Sequence, residues 1–298
     1  MERDVLREAH PVPEFDHSIG FDADAHVYFE PDSSFRYPIS VTGLIGRYAP
    51  PFDEPVVAAR CARSSNPRYA GRTVDDIRAE WATIRHDASS RGTLVHELIE
   101  HFFKHGHWAG ADQGAEYVAT LAAELGAVEL EQFHAFYRAF VVPRGWVPWR
   151  SELRIASRRR GLAGAVDMLF WDPADGCAIM ADWKCSKRID RVGWGKLLPA
   201  EGPLAGLPAC NFTKYTLQQN VYTRLCEEEA PTSVPPIKAL FMPIFHRRLC
   251  REATPYELYE LPRCPEAADW LLAEADLAFL TQNFDTQLAL DQDDTLDA

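Results

Sequence analysis

The alternation of apolar and polar residues predicts an α/β protein in which helices precede and follow a group of strands. Three apolar segments separated by short turns are predicted to be neighbouring strands: residues 149–157, 163–172 and 177–185. A strand at residues 237–245 and a hairpin partner near 256–261 follow. This order is typical of a mixed central sheet with helices on both faces.

Apolar residues at intervals of three and four predict the surrounding helices. The predicted helices cover residues 73–89, 92–106, one or two segments within 114–140, 213–228 and 265–283. Upstream of them, residues 24–48 predict a short hairpin and a helix that begins at Ser40 or Thr42. A Gly/Pro-rich connection at residues 190–212 is long for a compact domain, and such loops are usually functional or disordered.

These elements predict three regions. Residues 1–90 form a mainly helical N-terminal extension that packs on a core of residues 91–284. Residues 285–298 contain five aspartates and no lysine or arginine, so we expect an acidic, disordered tail.

The chain has 298 residues and a net charge of −13, which at first argues against a nucleic acid as partner. The charge is unevenly distributed, because residues 144–196 contain eleven Lys/Arg against six Asp/Glu. A basic middle region on an acidic protein suits a groove for a polyanion, and it is equally compatible with an ordinary solvated surface.

Seven cysteines without a CxxC pair favour a reducing compartment over a disulfide scaffold. No apolar run reaches the roughly 20 residues that span a bilayer, and the charged N-terminus does not predict a signal peptide. We therefore expect a soluble, intracellular protein, cytoplasmic or nuclear and not secreted, with no membrane partner.

The candidate chemistry lies on the three central strands. Asp167 is an isolated carboxylate within an apolar strand, which is costly unless it is paired or binds a metal. Asp182 ends the next strand, and Lys184 follows on the same face, opposite Trp183. If these strands are antiparallel neighbours, Asp167 and Asp182 can share one Mg²⁺ or Mn²⁺ with the Trp183 carbonyl. Lys184 would then orient or deprotonate a water, with Glu152 as a further acid. A strand-end ion pair is the simpler reading of Asp182 and Lys184.

The order Asp167, Asp182, Trp183, Lys184 resembles the signature of the PD-(D/E)xK nuclease superfamily. Two further elements resemble its RecB-like exonuclease branch: the helical stretch GTLVHELIE at residues 92–100, and a Q-x-x-x-Y motif at 218–222. The segment SVTGLIGRY before them is also similar to viral and mitochondrial genome-maintenance exonucleases. The resemblance covers roughly residues 25–245.

This resemblance implies a restriction-endonuclease-like fold and a Mg²⁺- or Mn²⁺-dependent DNA exonuclease acting in replication, repair or recombination. It implies that His96 is a further metal ligand and that Gln218 and Tyr222 contact the DNA. The expected partner is single-stranded DNA or DNA with free ends. An oligomer, or a replication or repair partner, is left open.

Several alternatives stay open at this point. Glu100 either orients His96 or faces solvent. Arg158, Arg159 and Arg160 form either a phosphate clamp or a solvated turn, and Trp194 either stacks on a base or packs on the sheet. The alternative functions are a non-catalytic DNA-binding or assembly module, an endonuclease, and a ribonuclease of the same fold.

Overall fold

The computed structural model describes most of the chain. Its described residues are 3–16, 18–23, 25–50, 52–193, 198 and 201–293, with the backbone alone at 111–113 and 282–293. Trp194 and residues 294–298 lie outside them.

The helices are α1 Val5–Ala9, α2 Pro13–Asp16, α3 Val41–Gly46, α4 Glu54–Ala62, α5 Val74–Lys104, α6 Ala111–Leu125, α7 Val128–Phe136, α8 Asn211–Glu229 and α9 Pro265–Asp293. The strands are β1 Gly20–Asp22, β2 Val27–Phe29, β3 Ile39–Ser40, β4 Val147–Ser157, β5 Leu162–Asp172, β6 Cys177–Ala181, β7 Ile237–Ile244 and β8 Glu257–Leu261. From α5 onward the elements follow the predicted order of helices, three strands, a helix, two strands and a final helix, whereas α1, α2 and α4 were not predicted.

The main sheet is mixed, as predicted. Strands β4, β5 and β6 are antiparallel neighbours, β7 joins β6 in parallel, and β8 joins β7 antiparallel. The short strand β3 pairs in parallel with the start of β5, and β1 and β2 form a separate hairpin. The chain is therefore an α/β protein whose mixed sheet is flanked by helices.

Two apolar clusters cover the sheet. One contains residues of α3, α8 and α9, and the other contains residues of α5 and α7. All five residues of β6 are buried. This explains its continuous apolar sequence, because a strand covered on both faces has no solvent-facing positions. No helix among the described residues is long and apolar enough to cross a membrane.

Helix α5 differs from the prediction of two helices that meet near Gly92. It is a single helix of 31 residues that begins at a capping box between Thr73 and Asp76. A glycine inside a helix lowers its stability by only about 1 kcal/mol relative to alanine. Burial of Val95, Ile99 and Phe102 outweighs that loss and extends the helix through Gly92. The predicted cap of α3 is confirmed at Ser40, whose Oγ accepts the Gly43 N–H at 3.0 Å.

Strand β6 separates from β5 earlier than predicted. Its pairing with β5 ends at Ala181, although the following residues still bond to β7. The Asp182 and Lys184 N–H groups donate to the carbonyls of Phe241 and Pro243, each at 3.0 Å. The chain therefore leaves the β5 edge at Asp167 while remaining part of the sheet.

Helix α9 extends to Asp293, beyond its predicted end at residue 283 and into the segment expected to be a tail.

Candidate active site

Three potential metal ligands converge where α5 crosses β4 and β5. His96, Glu152 and Asp167 each offer a ligand atom, and these atoms lie within 4.8 Å of one another. The His96 Nδ1 atom is 3.4 Å from Glu152 Oε1 and 3.7 Å from Asp167 Oδ2. Ligand bonds of about 2.1 Å on one cation place neighbouring ligand atoms at such separations, so this group fits a divalent ion.

The pairing of β4 with β5 places the two carboxylates opposite each other. Ser151 pairs with Met168 and Leu153 with Val166, which aligns Glu152 with Asp167. Glu152 adopts a left-handed backbone conformation with φ of 45°. Such a conformation is unfavourable for a non-glycine residue and tends to occur at functional sites.

Asp167 is buried within this group, as the sequence predicted for a functional carboxylate. Burial raises its pKa, and the charges of His96 and Lys184 oppose that rise. The Trp183 N–H donates to Asp167 Oδ2 at 2.9 Å. The Trp183 carbonyl was one of the predicted metal ligands, whereas the described backbone contact of Trp183 with the site is made by its N–H. The indole stacks on Phe103 in the apolar core.

His96 is the most basic member of the group. Burial lowers its pKa, but the carboxylates of Asp167 and Glu152 outweigh burial and raise the pKa to about 9. Without a bound metal, the imidazole therefore carries a positive charge at neutral pH. This charge balances part of the negative charge that the two acids bring together.

Asp182 and Lys184 form an ion pair beside the three-residue group. The Lys184 ammonium contacts Asp182 Oδ2, and Asp182 is 1% exposed. Burial and the charge of Asp167 raise the pKa of Asp182 to about 6, despite the opposing charge of Lys184. Asp182 is not among the ligand atoms that lie within 4.8 Å of one another.

Lys184 keeps its proton at neutral pH. Burial alone would lower its pKa, but the carboxylates of Asp182 and Asp167 outweigh burial and raise the pKa well above its usual value. This ionisation state suits a residue that orients a water or offsets negative charge. Removal of a proton from water, the other predicted role, would require Lys184 to lose this proton first.

Gln218 and Tyr222 lie on the face of α8 that covers the sheet. The Gln218 Nε2 atom donates to the Tyr222 hydroxyl at 3.0 Å and lies 3.5 Å from Asp182 Oδ1. A Cβ atom at Gly164 would lie 2.7 Å from the Tyr222 ring, so glycine is needed in β5 at this contact. Both side chains are buried. They therefore form a hydrogen-bonded chain behind Asp182.

A cleft of about 570 Å³ opens onto His96 and Glu152. One wall is formed by α5 and β4, and the other by N-terminal residues from Asp4 to Tyr28. The N-terminal extension thus forms part of the candidate site, in addition to packing on the core.

The structure does not bring Arg158, Arg159 and Arg160 to this cleft. Their turn precedes Leu162, five residues from Asp167 along β5 and thus about 17 Å away. Each arginine contacts acidic residues instead; the contacts are Arg158 with Glu30, Arg159 with Asp276, and Arg160 with Glu228 at 2.7 Å.

Glu100 lines the cleft and pairs with Lys104 one turn later on α5. Glu100 is therefore paired with a cation and is not simply solvated, and the described contacts do not show it orienting His96.

Tyr215 is a site residue that sequence reasoning missed. The Lys184 ammonium lies 5.3 Å from the centre of its ring. Tyr215 precedes Gln218 by three residues and therefore shares the α8 face of the Q-x-x-x-Y motif. That helical spacing was the signal that could have identified it.

Comparison with known proteins provides no name for this site. No protein-family model matches the chain, and no curated protein matches it significantly. The functional argument therefore rests on the residues of the chain.

Proposed function

We propose that this chain is a metal-dependent DNA exonuclease with a restriction-endonuclease-like arrangement, related to the PD-(D/E)xK superfamily. One observation carries the proposal. The acids of β4 and β5 meet His96 at one point, and the Lys184–Asp182 pair adjoins that point. A metal cation and a positively charged side chain near the attacking water both promote phosphodiester hydrolysis, because they stabilise the negative charge that develops on the phosphate.

The ligand set favours Mn²⁺ over Mg²⁺. Mg²⁺ binds oxygen ligands and keeps several waters, whereas Mn²⁺ also accepts an imidazole nitrogen. His96, Glu152 and Asp167 supply one nitrogen and two carboxylates. His96 would have to release the proton that it holds below its pKa of about 9 in order to act as a ligand, so metal affinity should rise with pH.

A cation bound there would polarise a phosphate oxygen and lower the pKa of a bound water. Lys184, as an ammonium, orients the attacking water and offsets the negative charge that develops on the phosphate. Asp182 holds the Lys184 side chain in place through their ion pair. Gln218 contacts the Asp182 carboxylate from α8, and its amide also donates to the Tyr222 hydroxyl, which fixes the position of Gln218.

The cleft walls support action at a free DNA end. The N-terminal extension lies opposite α5 and β4, so an entering strand is flanked on both sides near His96 and Glu152. A single strand can lie in a cleft of about 570 Å³ that is walled on two sides, and we propose that the strand enters it by an end.

The function is tested with end-labelled single- and double-stranded DNA and RNA, incubated with Mn²⁺, Mg²⁺ or EDTA. We expect DNA cleavage with Mn²⁺ and none with EDTA. DNA binding without cleavage under every metal condition would support a non-catalytic module instead. Preferential cleavage of RNA would change the proposed substrate.

The metal site is tested separately by Asp167→Asn. The neutral amide should remove most Mn²⁺ binding measured by calorimetry, because a charged ligand is lost. The matched control is Asp172→Asn, which alters another buried aspartate of β5 that accepts from the Trp146 indole outside the group. The control should bind Mn²⁺ as the wild type does. Equal Mn²⁺ titrations for wild type and Asp167→Asn would reject this ligand assignment.

A further inference from the structure

Arg154 is an exposed cation on the cleft wall beside the candidate metal ligands. It follows Glu152 by two residues on β4, about 7 Å further along the strand, and both side chains line the cleft. Its described polar contact is one hydrogen bond, from Nη1 to the Ile19 carbonyl at 3.3 Å. It forms no ion pair with the described carboxylates, so its guanidinium can bind an anion.

The other cations of the cleft are already engaged by acids. The Arg150 guanidinium contacts both oxygens of Asp16, at 2.5 and 3.2 Å, and is almost fully buried. Arg7 approaches the same carboxylate at 3.6 Å, and Lys104 pairs with Glu100. An anion that enters the cleft would have to break these contacts to use any of the three.

A DNA strand needs a cation in this cleft, because the walls are rich in acids. The acidic residues along it are Asp4, Asp16, Glu97, Glu100 and Glu152. A metal at Glu152 would neutralise the charge at one end only. The planar guanidinium of Arg154 offers a fork of donors that matches two phosphate oxygens.

We infer that Arg154 binds a backbone phosphate of the DNA strand, one next to the phosphate that reacts at the metal group. This inference rests on the proposed nuclease function. The contact is equally strong before and during the reaction, because this phosphate does not change charge. Arg154 therefore determines substrate affinity for any base sequence, and the chemical step depends on other residues.

The test is Arg154→Ala in the full chain, with initial rates of cleavage of a labelled single-stranded DNA in Mn²⁺ across a range of KCl concentrations. Loss of a charge-assisted hydrogen bond should raise KM roughly ten-fold, with kcat nearly unchanged. The slope of log KM against the logarithm of the KCl concentration should decrease by about 0.7 for each phosphate contact that is lost. Arg154→Lys keeps the charge and should recover most of the salt dependence.

The matched control is Arg144→Ala. Arg144 is also exposed, donates to one backbone carbonyl, Phe140 O at 2.8 Å, and has no ion pair with the described carboxylates, but it lies outside the cleft. Its KM and salt dependence should match the wild type. Calorimetric Mn²⁺ titration of Arg154→Ala should also match the wild type, which shows that the fold and the metal group are intact.

The outcomes separate the two proposals. A wild-type protein that neither binds nor cleaves DNA rejects the nuclease function, and this inference with it. An active wild type with an unchanged KM in Arg154→Ala rejects the inference alone. A loss of kcat, of Mn²⁺ binding or of folding in Arg154→Ala, without recovery in Arg154→Lys, would show a structural role and would likewise reject it.

Discussion

Acidic and basic side chains lie close together where α5 crosses β4 and β5. Glu152, Asp167 and Asp182 are acids, and His96 and Lys184 are the bases among them. Two of the acids are almost fully buried. Burial, and after it the charge of Asp167, raise the pKa of Asp182 to about 6 despite the opposing charges of Lys184 and His96. A site of this kind gains stability when a divalent cation binds, because the cation adds the missing positive charge.

The backbone of Glu152 leads to a stability prediction. At a φ of 45°, a residue with a Cβ atom is disfavoured by about 1–2 kcal/mol, whereas glycine is not. The free energy of unfolding of Glu152→Gly, measured by urea, should therefore exceed that of Glu152→Ala by about 0.5–1 kcal/mol. This figure allows for the greater entropy of glycine in the unfolded chain. Both variants lose the carboxylate, so the charge effect cancels. Equal or greater stability of the alanine variant in EDTA would show that the left-handed backbone is not retained.

The ion pair of Lys184 with Asp182 leads to a second prediction. Lys184→Met leaves a buried carboxylate without its partner, which should lower the free energy of unfolding by about 3 kcal/mol at pH 8. The loss should be smaller at pH 5. The pKa of Asp182 is about 6 in the folded state and lies below that in the unfolded state. The ionised Asp182 carboxylate therefore destabilises the folded state only as the pH rises through these two pKa values.

The control for this variant is the double replacement Lys184→Met with Asp182→Asn. It removes both charges and should recover most of the lost stability, measured by urea unfolding at both pH values. Neither variant should cleave DNA, because the ammonium is missing from both. If Lys184→Met alone were as stable as the wild type at pH 8, the buried ion pair between Lys184 and Asp182 would be contradicted.

At the scale of elements, the continuity of α5 positions His96. The helix starts at the Thr73 cap, and its second half is held by the buried residues Val95 and Ile99. Because the helix is not broken at Gly92, the packing of all of α5 determines the position of His96. Strand β6 also contributes, because its pairing with β5 ends at Ala181 and the Trp183 N–H then donates to the Asp167 carboxylate.

Gly92 provides the test of this continuity. A Cβ atom built there meets nothing within 4 Å, so Gly92→Ala should stabilise the protein by up to about 1 kcal/mol in thermal or urea unfolding. The control is Gly114→Ala in α6, where the Cβ atom would lie 2.5 Å from the His107 carbonyl oxygen. That variant should be destabilised. Destabilisation by Gly92→Ala would indicate that the helix is broken at residue 92.

At the scale of the whole molecule, the N-terminal extension and the core together form the cleft. Residues from Asp4 to Tyr28 face α5 and β4 across it, and the Arg150–Asp16 pair joins the two parts. The enclosure of the cleft on both sides is the structural basis for expecting a substrate with a free end.

This expectation is tested with linear and covalently closed circular single-stranded DNA of the same sequence. The linear strand should be degraded to short products in Mn²⁺, while the circle persists, because the walled cleft admits an end more readily than a closed strand. The control is a circle nicked once before the assay, which should be degraded like the linear strand. Equal digestion of the closed circle would make the protein an endonuclease.

Much of this architecture could be predicted from local pattern. The three central strands and the helices α7, α8 and α9 follow from apolar periodicity and turn residues, which act over a few positions, whereas the antiparallel pairing of the strands was only a condition of the predicted metal site. Asp167, Asp182 and Lys184 stood out for the same reason, since charges within or at the end of apolar strands conflict with burial unless they are paired.

Which of the predicted residues lie together could be determined only by the tertiary structure. His96, Glu152 and Asp167 lie on three different elements, and their distances depend on how α5 crosses β4 and β5. The sequence predicted Asp167, Asp182 and the Trp183 carbonyl as metal ligands, with His96 added by resemblance and Glu152 as a further acid. The structure groups Asp167 with His96 and Glu152, and it places Asp182 in the ion pair with Lys184 that the sequence had left as an alternative. Strand register, helix crossing and the left-handed backbone at Glu152 result from packing across the whole chain, and spacing along the sequence does not encode distances of that kind.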